Sequence, residues 1–235
     1  MFKKYLICFA KAIFAGLAIG LGGFLYILMV SLFKDPLSEL GNILGSILFS
    51  VGLFLVCTFS LNLYTGKIGL VYEEKKEKEF YISLPIILIG NAVGAFALGF
   101  ICYALLFNTF IQVEAYNAAI KRLIFNAPLD YVTTCIKSFL CGLCVYLAVK
   151  CFSLNRLKPL GITLLVFFVF LFVYCGFQHC IANMFYFGFG LFNQILLGNP
   201  TMILYMLLNL TLVILFNSFG PIIGVLIFKL IEKSK

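Results

Sequence analysis

Gly176-Phe177-Gln178-His179-Cys180-Ile181-Ala182-Asn183-Met184 closes an apolar run that begins near Leu160, and it carries the only histidine of the chain. If residues 160–187 cross a bilayer, the imidazole must find its hydrogen bonds inside the protein or beside a water-filled path, because lipid offers none. An ionisable ring at that depth points to a substrate or proton path. The structural alternative is a hydrogen bond that only ties two helices together.

Working outward, the rest of the chain is equally apolar. Of 235 residues, 63% are hydrophobic and 11% charged, with a mean hydropathy of +1.13. So much apolar surface exceeds what one soluble core could hide, which makes this an integral membrane protein. Apolar stretches at about 12–33, 41–64, 84–109, 131–152, 160–186 and 201–230 each approach or exceed the roughly 20 residues a helical span requires. Six spans follow. With the amino terminus in the cytoplasm, Lys3, Lys4, Lys11, Lys67, Lys75, Lys76, Lys78, Lys150, Arg156, Lys158, Lys229, Lys233 and Lys235 fall inside. Lys34, Lys121, Arg122 and Lys137 fall on the other face, a clear positive-inside bias. Both termini are then cytoplasmic, as for a protein of a plasma or bacterial inner membrane. The net charge of +8 needs no nucleic-acid partner.

Lys3 and Lys4 imitate the start of a secretory signal, but Lys11 interrupts it and the apolar run to Phe33 is too long. Residues 1–11 read as a short interfacial segment with nothing cleaved. Glu73-Glu74-Lys75-Lys76-Glu77-Lys78-Glu79 reads as a solvated inner turn. The nine cysteines are read mainly as small apolar packers. Cys141-Gly142-Leu143-Cys144 lacks the second pair or histidine cluster of a zinc or redox site, so neither metal nor cofactor is expected.

Two internal correspondences organise the spans. Asn91-Ala92-Val93-Gly94 in the third and Asn217-Ser218-Phe219-Gly220 in the sixth both read Asn-x-x-Gly. Three spans per repeat, an odd number, place the repeats in opposite orientations, repeat one at about 12–109 and repeat two at about 131–231. The second span runs into Asn62-Leu63-Tyr64-Thr65-Gly66-Lys67-Ile68-Gly69, and the fifth through His179 and Asn183 into Gly188-Phe189-Gly190; both read as broken helices. Irregular backbone at membrane depth is tolerated only where protein or a water-lined cavity satisfies it. One break per half suggests a path between the halves, with the Thr65 hydroxyl facing the His179 imidazole. Gly16, Gly20, Gly22, Gly23, Gly90, Gly94, Gly99, Gly220 and Gly224 read as sites of close helix packing rather than a nucleotide loop.

These segments resemble the formate/nitrite transporter family. Leu63-Tyr64-Thr65-Gly66 is similar to its broken second helix, and Gly90-Asn91-Ala92-Val93-Gly94-Ala95 to its third-helix signature. The run Gly176 to Met184 is similar to its fifth-helix signature, and Asn217-Ser218-Phe219-Gly220, more loosely, to the sixth. The resemblance implies an all-α, aquaporin-like fold of six helices with the second and fifth broken. It further implies assembly as a homopentamer with one pore per subunit, and passage of formate, nitrite, hydrosulfide or lactate. By position it makes His179 the central pore histidine facing Thr65, with Asn183 and Asn217 beside them. It assigns Phe49 and Phe172 to an outer constriction and Leu53 and Tyr64 to an inner one. Two departures stand out: Gln178 replaces the glutamate the family usually carries before the histidine, and Lys121 is the match to its vestibule lysine at a longer spacing.

Energetics indicate the permeating form. Moving a bare carboxylate-sized ion into low dielectric costs on the order of 20 kcal/mol in the idealised limit and still several after relaxation. Neutralising an acid of pKa near 4 at pH 7 costs about 4 kcal/mol. Crossing as the neutral acid, or as anion plus proton, is therefore favoured. Lys121 or Arg122 would gather anions outside, and His179, kept neutral by desolvation, would hydrogen-bond the solute, with proton donation as an added role. An aquaporin-like facilitator of neutral solutes would need paired Asn-Pro-Ala caps, whereas Asn126-Ala127-Pro128 and Asn199-Pro200 are ordered differently. An enzyme would need a nucleophile with a base or a metal cluster, and one histidine without an embedded carboxylate argues against it.

Overall fold

The computed structural model describes residues 2–73, 77–155 and 158–233. Helix α1 (Phe2–Leu32) leads to α2 (Ser38–Thr58), the short α3 (Tyr64–Ile68) and α4 (Leu70–Glu73), then α5 (Lys78–Leu105) and α6 (Phe110–Ile120). There follow α7 (Pro128–Leu154), α8 (Pro159–Tyr174), α9 (Cys180–Gly190), α10 (Phe192–Leu196), α11 (Pro200–Phe219) and α12 (Pro221–Lys233). Five stretches are long and apolar enough to cross a membrane: Lys3–Leu32, Ser38–Thr58, Lys78–Leu105, Pro128–Leu154 and Pro200–Glu232. Helices α8 and α9 are apolar but shorter. Polarity is inverted relative to a soluble protein, for Ser46, Thr65, Asn91, Ser138, Asn209 and Asn217 are fully buried while Ile89, Leu105 and Leu129 face outward.

Small residues bring the long helices together. A Cβ placed on Gly94 of α5 would run into the Ile13 carbonyl of α1, and one on Gly16 of α1 into the Asn91 carbonyl of α5. Helices α7 and α11 meet in the same way, Gly220 against the Phe139 carbonyl and Gly142 against the Asn217 carbonyl. Backbones this close are held by dispersion between main chains, which substitutes in lipid for the missing hydrophobic drive.

Several expectations need correcting. Residues 2–11 are not set apart from the first span but form the opening turns of α1, a single helix of 31 residues. At 1.5 Å per residue it is about 46 Å long, enough to carry its first turns beyond a hydrocarbon core of about 30 Å, and Lys11 is a good helix former. The first irregular segment is 59–63, not 62–69; Gly66 lies inside α3. The second lies before His179, at 175–179, and Gly188 and Gly190 are helical. Gly190 serves contact instead, its α-carbon lying so close to the Ala115 carbonyl of α6 that no side chain fits. The stretch 201–230 divides at Gly220, since Pro221 supplies no N–H to continue the ladder. Helix α6 was not visible as an apolar run. Of the sequence-assigned inner residues, Glu74, Lys75, Lys76, Arg156 and Lys235 lie outside the described residues. The nine cysteines are free thiols.

Candidate transport site

Two short extended segments at the ends of α2 and α8 form the site. After Thr58 the chain turns through Ser60 at φ 51° and reaches Leu63 in extended conformation before α3 begins. After Tyr174 it turns through Gly176 at φ 65° and reaches His179, also extended, before α9. One buried asparagine secures each segment. The Asn91 amide donates to the carbonyls of Asn62 (2.8 Å) and Ala12 (2.7 Å), and its oxygen accepts from the Tyr64 N–H (2.8 Å). The Asn217 amide donates to the carbonyls of Gln178 (2.9 Å) and Ser138 (2.7 Å), and its oxygen accepts from the Cys180 N–H (2.9 Å). Each side chain thus satisfies backbone groups on both sides of a break that no helix ladder can reach. Asn217, assigned to the pore by resemblance, has both amide hydrogens and its oxygen engaged with main chain, so it shapes the break rather than facing a solute.

His179 is the N-cap of α9, and its Nδ1 accepts from the Ala182 N–H at 3.2 Å. That bond assigns the proton of the neutral ring to Nε2. Nε2 lies 2.9 Å from the Thr65 hydroxyl oxygen, so the ring donates and Thr65 accepts. The hydroxyl hydrogen of Thr65 has no acceptor among the described residues. An imidazolium would point an Nδ1–H at the Ala182 N–H, setting donor against donor and losing the cap. The cap geometry therefore fixes the Nε2–H tautomer.

Two cavities approach this pair, here called outer and inner after the orientation the charges assign. The outer one, ≈ 300 Å³, reaches Phe49, Phe172 and His179 at its floor. Phe49 and Phe172 meet edge to face at 5.8 Å, and Phe172 stacks on His179 at 6.0 Å. The inner one, ≈ 420 Å³, is walled by Val56, Leu63 and Phe152 among others. Along α2 the two are separated by the helix from Phe49 to Val56, about 10 Å by the helical rise. Leu53 is buried on the same face between them. The inner wall differs from the assignment by resemblance: Tyr64 turns away, its hydroxyl 3.0 Å from that of Ser218 on α11, and Leu63 stands on the cavity instead.

On the outer-cavity side of the Thr65–His179 pair and the Phe49, Leu53 and Phe172 side chains, together called the plug, a polar network surrounds Arg122. Its Nε donates to the Asn183 oxygen (2.8 Å), a second N–H donates to the Ala118 carbonyl, and the guanidinium lies 3.9 Å over the Tyr186 ring. The Asn183 amide donates to Gln178 (3.0 Å) and Asn209 (2.9 Å). Asn209 donates to Gln178 (2.8 Å) and to the Arg122 carbonyl (2.8 Å), and the Gln178 amide donates to the Thr134 hydroxyl (3.3 Å). Burial pulls the Arg122 pKa below the ordinary arginine value, yet a guanidinium remains charged at physiological pH. Lys121 and Lys137 also line the outer cavity, together with Glu114, which is paired with Lys34. Lys121 is exposed; the cation that reaches the break is its neighbour Arg122. Asn209 escaped the sequence reading although an asparagine amid the leucines of α11 is a signal in itself. On the inner side, Glu73 accepts from Tyr146 and Lys150, both at 2.9 Å, and Lys67 shares the cavity wall.

Among the described residues no cluster of histidine, cysteine and carboxylate side chains could hold a metal ion. An all-helical, outwardly apolar chain with a buried Thr–His pair, whose histidine lines one of two cavities, has the form of a membrane channel. The chain belongs to the formate/nitrite transporter family, whose model matches residues 2–231, and members of that family are channels rather than enzymes. Among solved structures it is similar to a "Pentameric formate channel with formate bound", at TM-score 0.84 and 23% identity, covering 99% of both chains. It is also similar to an "FNT family ion channel", at TM-score 0.76 and 20% identity, covering 94% of this chain and 87% of that one. No curated protein matches the chain.

Proposed function

We propose that this protein conducts small monovalent acid anions across the membrane, formate first among them and nitrite, hydrosulfide or lactate as alternatives, each crossing the plug as the neutral acid or together with a proton. The observation that carries this reading is the Thr65–His179 pair, a hydrogen-bonding station between a cavity lined by His179 and a second lined by Leu63 and Gly66. The path would join them as α2 with α3, and α8 with α9, act as the interrupted second and fifth of six crossings in an aquaporin-like inverted repeat. The matched pattern of Asn91 and Asn217 supports that symmetry: Ala12 and Ser138, the two asparagines, and Gly94 and Gly220 are all the same number of residues apart. A homopentamer embedded in lipid, with one path per subunit, follows the named assembly of the similar formate channel.

On this reading Lys121, Arg122 and Lys137 concentrate anions in the outer cavity. Phe49, Phe172 and Leu53 exclude a hydrated ion. Past them, the free hydroxyl hydrogen of Thr65, and Nε2–H of His179 as it exchanges Thr65 for the solute, give partners where lipid and phenylalanine give none. Because Nδ1 is committed to Ala182, the ring acts as a donor of hydrogen bonds, and the proton that neutralises the solute comes from water outside.

Purified protein in liposomes tests this, with formate, nitrite, hydrosulfide and lactate flux measured across an imposed pH gradient. We expect flux to follow the neutral-acid fraction, falling about tenfold per pH unit above the acid's pKa, and to be lost in His179→Phe. Equal flux in that variant overturns the role of His179. Glycerol moving as fast as formate would shift the reading to a facilitator of neutral solutes.

A further inference from the structure

Arg122 has an environment unusual for a partly buried cation. Its partners are the Asn183 oxygen, the Ala118 carbonyl and the face of Tyr186, all neutral. The groups charged or titratable around it are Tyr186 of α9, His179 at the N-cap of that helix, Tyr26 of α1, its neighbour Lys121, Lys137 of α7, Tyr174 of α8 and Glu114 of α6. Glu114 is the one carboxylate on that cavity wall among the described residues, and Lys34 engages it. A desolvated charge without an opposite charge is costly, so something must hold it there. The holder is a ring of amides. Asn209 touches every other member, donating to the Arg122 main chain and to Gln178 and accepting from Asn183. Gln178 accepts twice and donates once, to Thr134. A carboxylate at that position could not make the Thr134 bond as a donor, and its charge would lie one side chain away from the guanidinium.

We propose that Asn209 is a positioning residue: with Asn183 and Gln178 it forms a hub of three neutral amides that fixes Arg122 beside the His179 break as a cation without a carboxylate partner, so that its counter-ion is one small oxyanion drawn from the outer cavity. The inference rests on the transport reading and sharpens it, because it assigns a binding step to a place separate from the Thr65–His179 pair. Nε and one Nη1 hydrogen of Arg122 are used within the protein, which leaves its other amino group to meet the anion. The hub also ties the Arg122 carbonyl, in the connection between α6 and α7, to the side chain of Gln178, whose main-chain carbonyl Asn217 holds. Arg122 and His179 are thereby kept in register.

Formate binding to the purified protein in detergent, by calorimetry, and formate uptake into liposomes are measured for the wild type, Arg122→Gln, Asn209→Leu and Gln178→Glu. Arg122→Gln should weaken formate binding most. Asn209→Leu, which lets the cation move, and Gln178→Glu, which gives it an internal partner, should each raise Kd and KM about tenfold, the size of one charge-assisted contact, with kcat within about threefold. A purely structural role would lower kcat and yield while leaving KM alone. Should Asn209→Leu fail to assemble, Gln178→Glu, nearly the same in shape, decides. Kd and KM within twofold of wild type in Gln178→Glu overturn the hub even where transport is robust. Formate binding that responds as expected in protein showing no flux supports the hub and overturns transport instead.

Discussion

The two breaks share a backbone device and differ in what stands at its centre. At the first, Asn91 spans from the Asn62 carbonyl to the Tyr64 N–H with Leu63 between them; at the second, Asn217 spans from the Gln178 carbonyl to the Cys180 N–H with His179 between them. Two positions past each centre the difference is reversed, for Thr65 occupies the first half where Ile181 occupies the second. Each half thus supplies one polar group to the plug and one apolar one. The asparagine clamp is a structural element used twice, and the chemistry depends on breaking its symmetry.

Making the halves alike should have the largest effect. His179→Leu gives the second break the centre of the first; uptake should fall at least 100-fold, equivalent to about 2.7 kcal/mol of lost stabilisation for the crossing solute. The protein should still assemble, because the lost cap costs only about 1 kcal/mol. Next come the clamps themselves. Asn91→Ala and Asn217→Ala each orphan two buried backbone groups at a break, at about 1 kcal/mol or more apiece, and both should lower the melting temperature in detergent by similar amounts. A large loss for one and none for the other would mean that the two breaks are not equivalent. Thr65→Val keeps shape and removes the hydroxyl; uptake should drop about tenfold and melting should fall slightly, because Nε2–H of His179 loses its acceptor, and Thr65→Ser should recover both, since one hydrogen bond of about 1.4 kcal/mol is at stake.

Much of this was legible in the chain. Apolar runs gave the long helices, and Asn-x-x-Gly pointed to the two asparagines before any contact was known. What the sequence misplaced is where the helices break. Glycine and polar residues drew attention to 62–69 and 188–190, whereas the breaks fall where a side chain on another helix captures the loose main chain, as Asn91 does for Asn62 and Tyr64. A tertiary hydrogen bond leaves no mark in local composition. The same holds for Arg122 against Lys121: adjacent in the turn after α6 and equal in charge, they are separated by side-chain direction, Arg122 bonded to Asn183 and Lys121 exposed. Gly188 and Gly190 show the converse, residues that read as breaks and act as points of contact with α5 and α6.

The smallest expected effect tests whether Leu63 or Tyr64 bounds the inner side. Tyr64 is fully committed elsewhere: its N–H to Asn91 and its hydroxyl to Ser218, whose own hydroxyl donates to the Ile214 carbonyl. Since that Ser218 hydrogen is already used, the Tyr64 hydroxyl is the donor between them, and Tyr64→Phe removes one bond of about 1 kcal/mol without leaving a buried N–H unpaired. Melting should fall slightly and uptake of every anion should stay within about twofold. Leu63→Ala, by contrast, enlarges the inner wall of the plug and should raise uptake of the larger lactate relative to formate. If Tyr64→Phe changed anion selectivity and Leu63→Ala did not, the wall of the inner cavity would belong to Tyr64, and the correspondence between Leu63 and His179 as the two centres of one repeated device would lose its functional meaning.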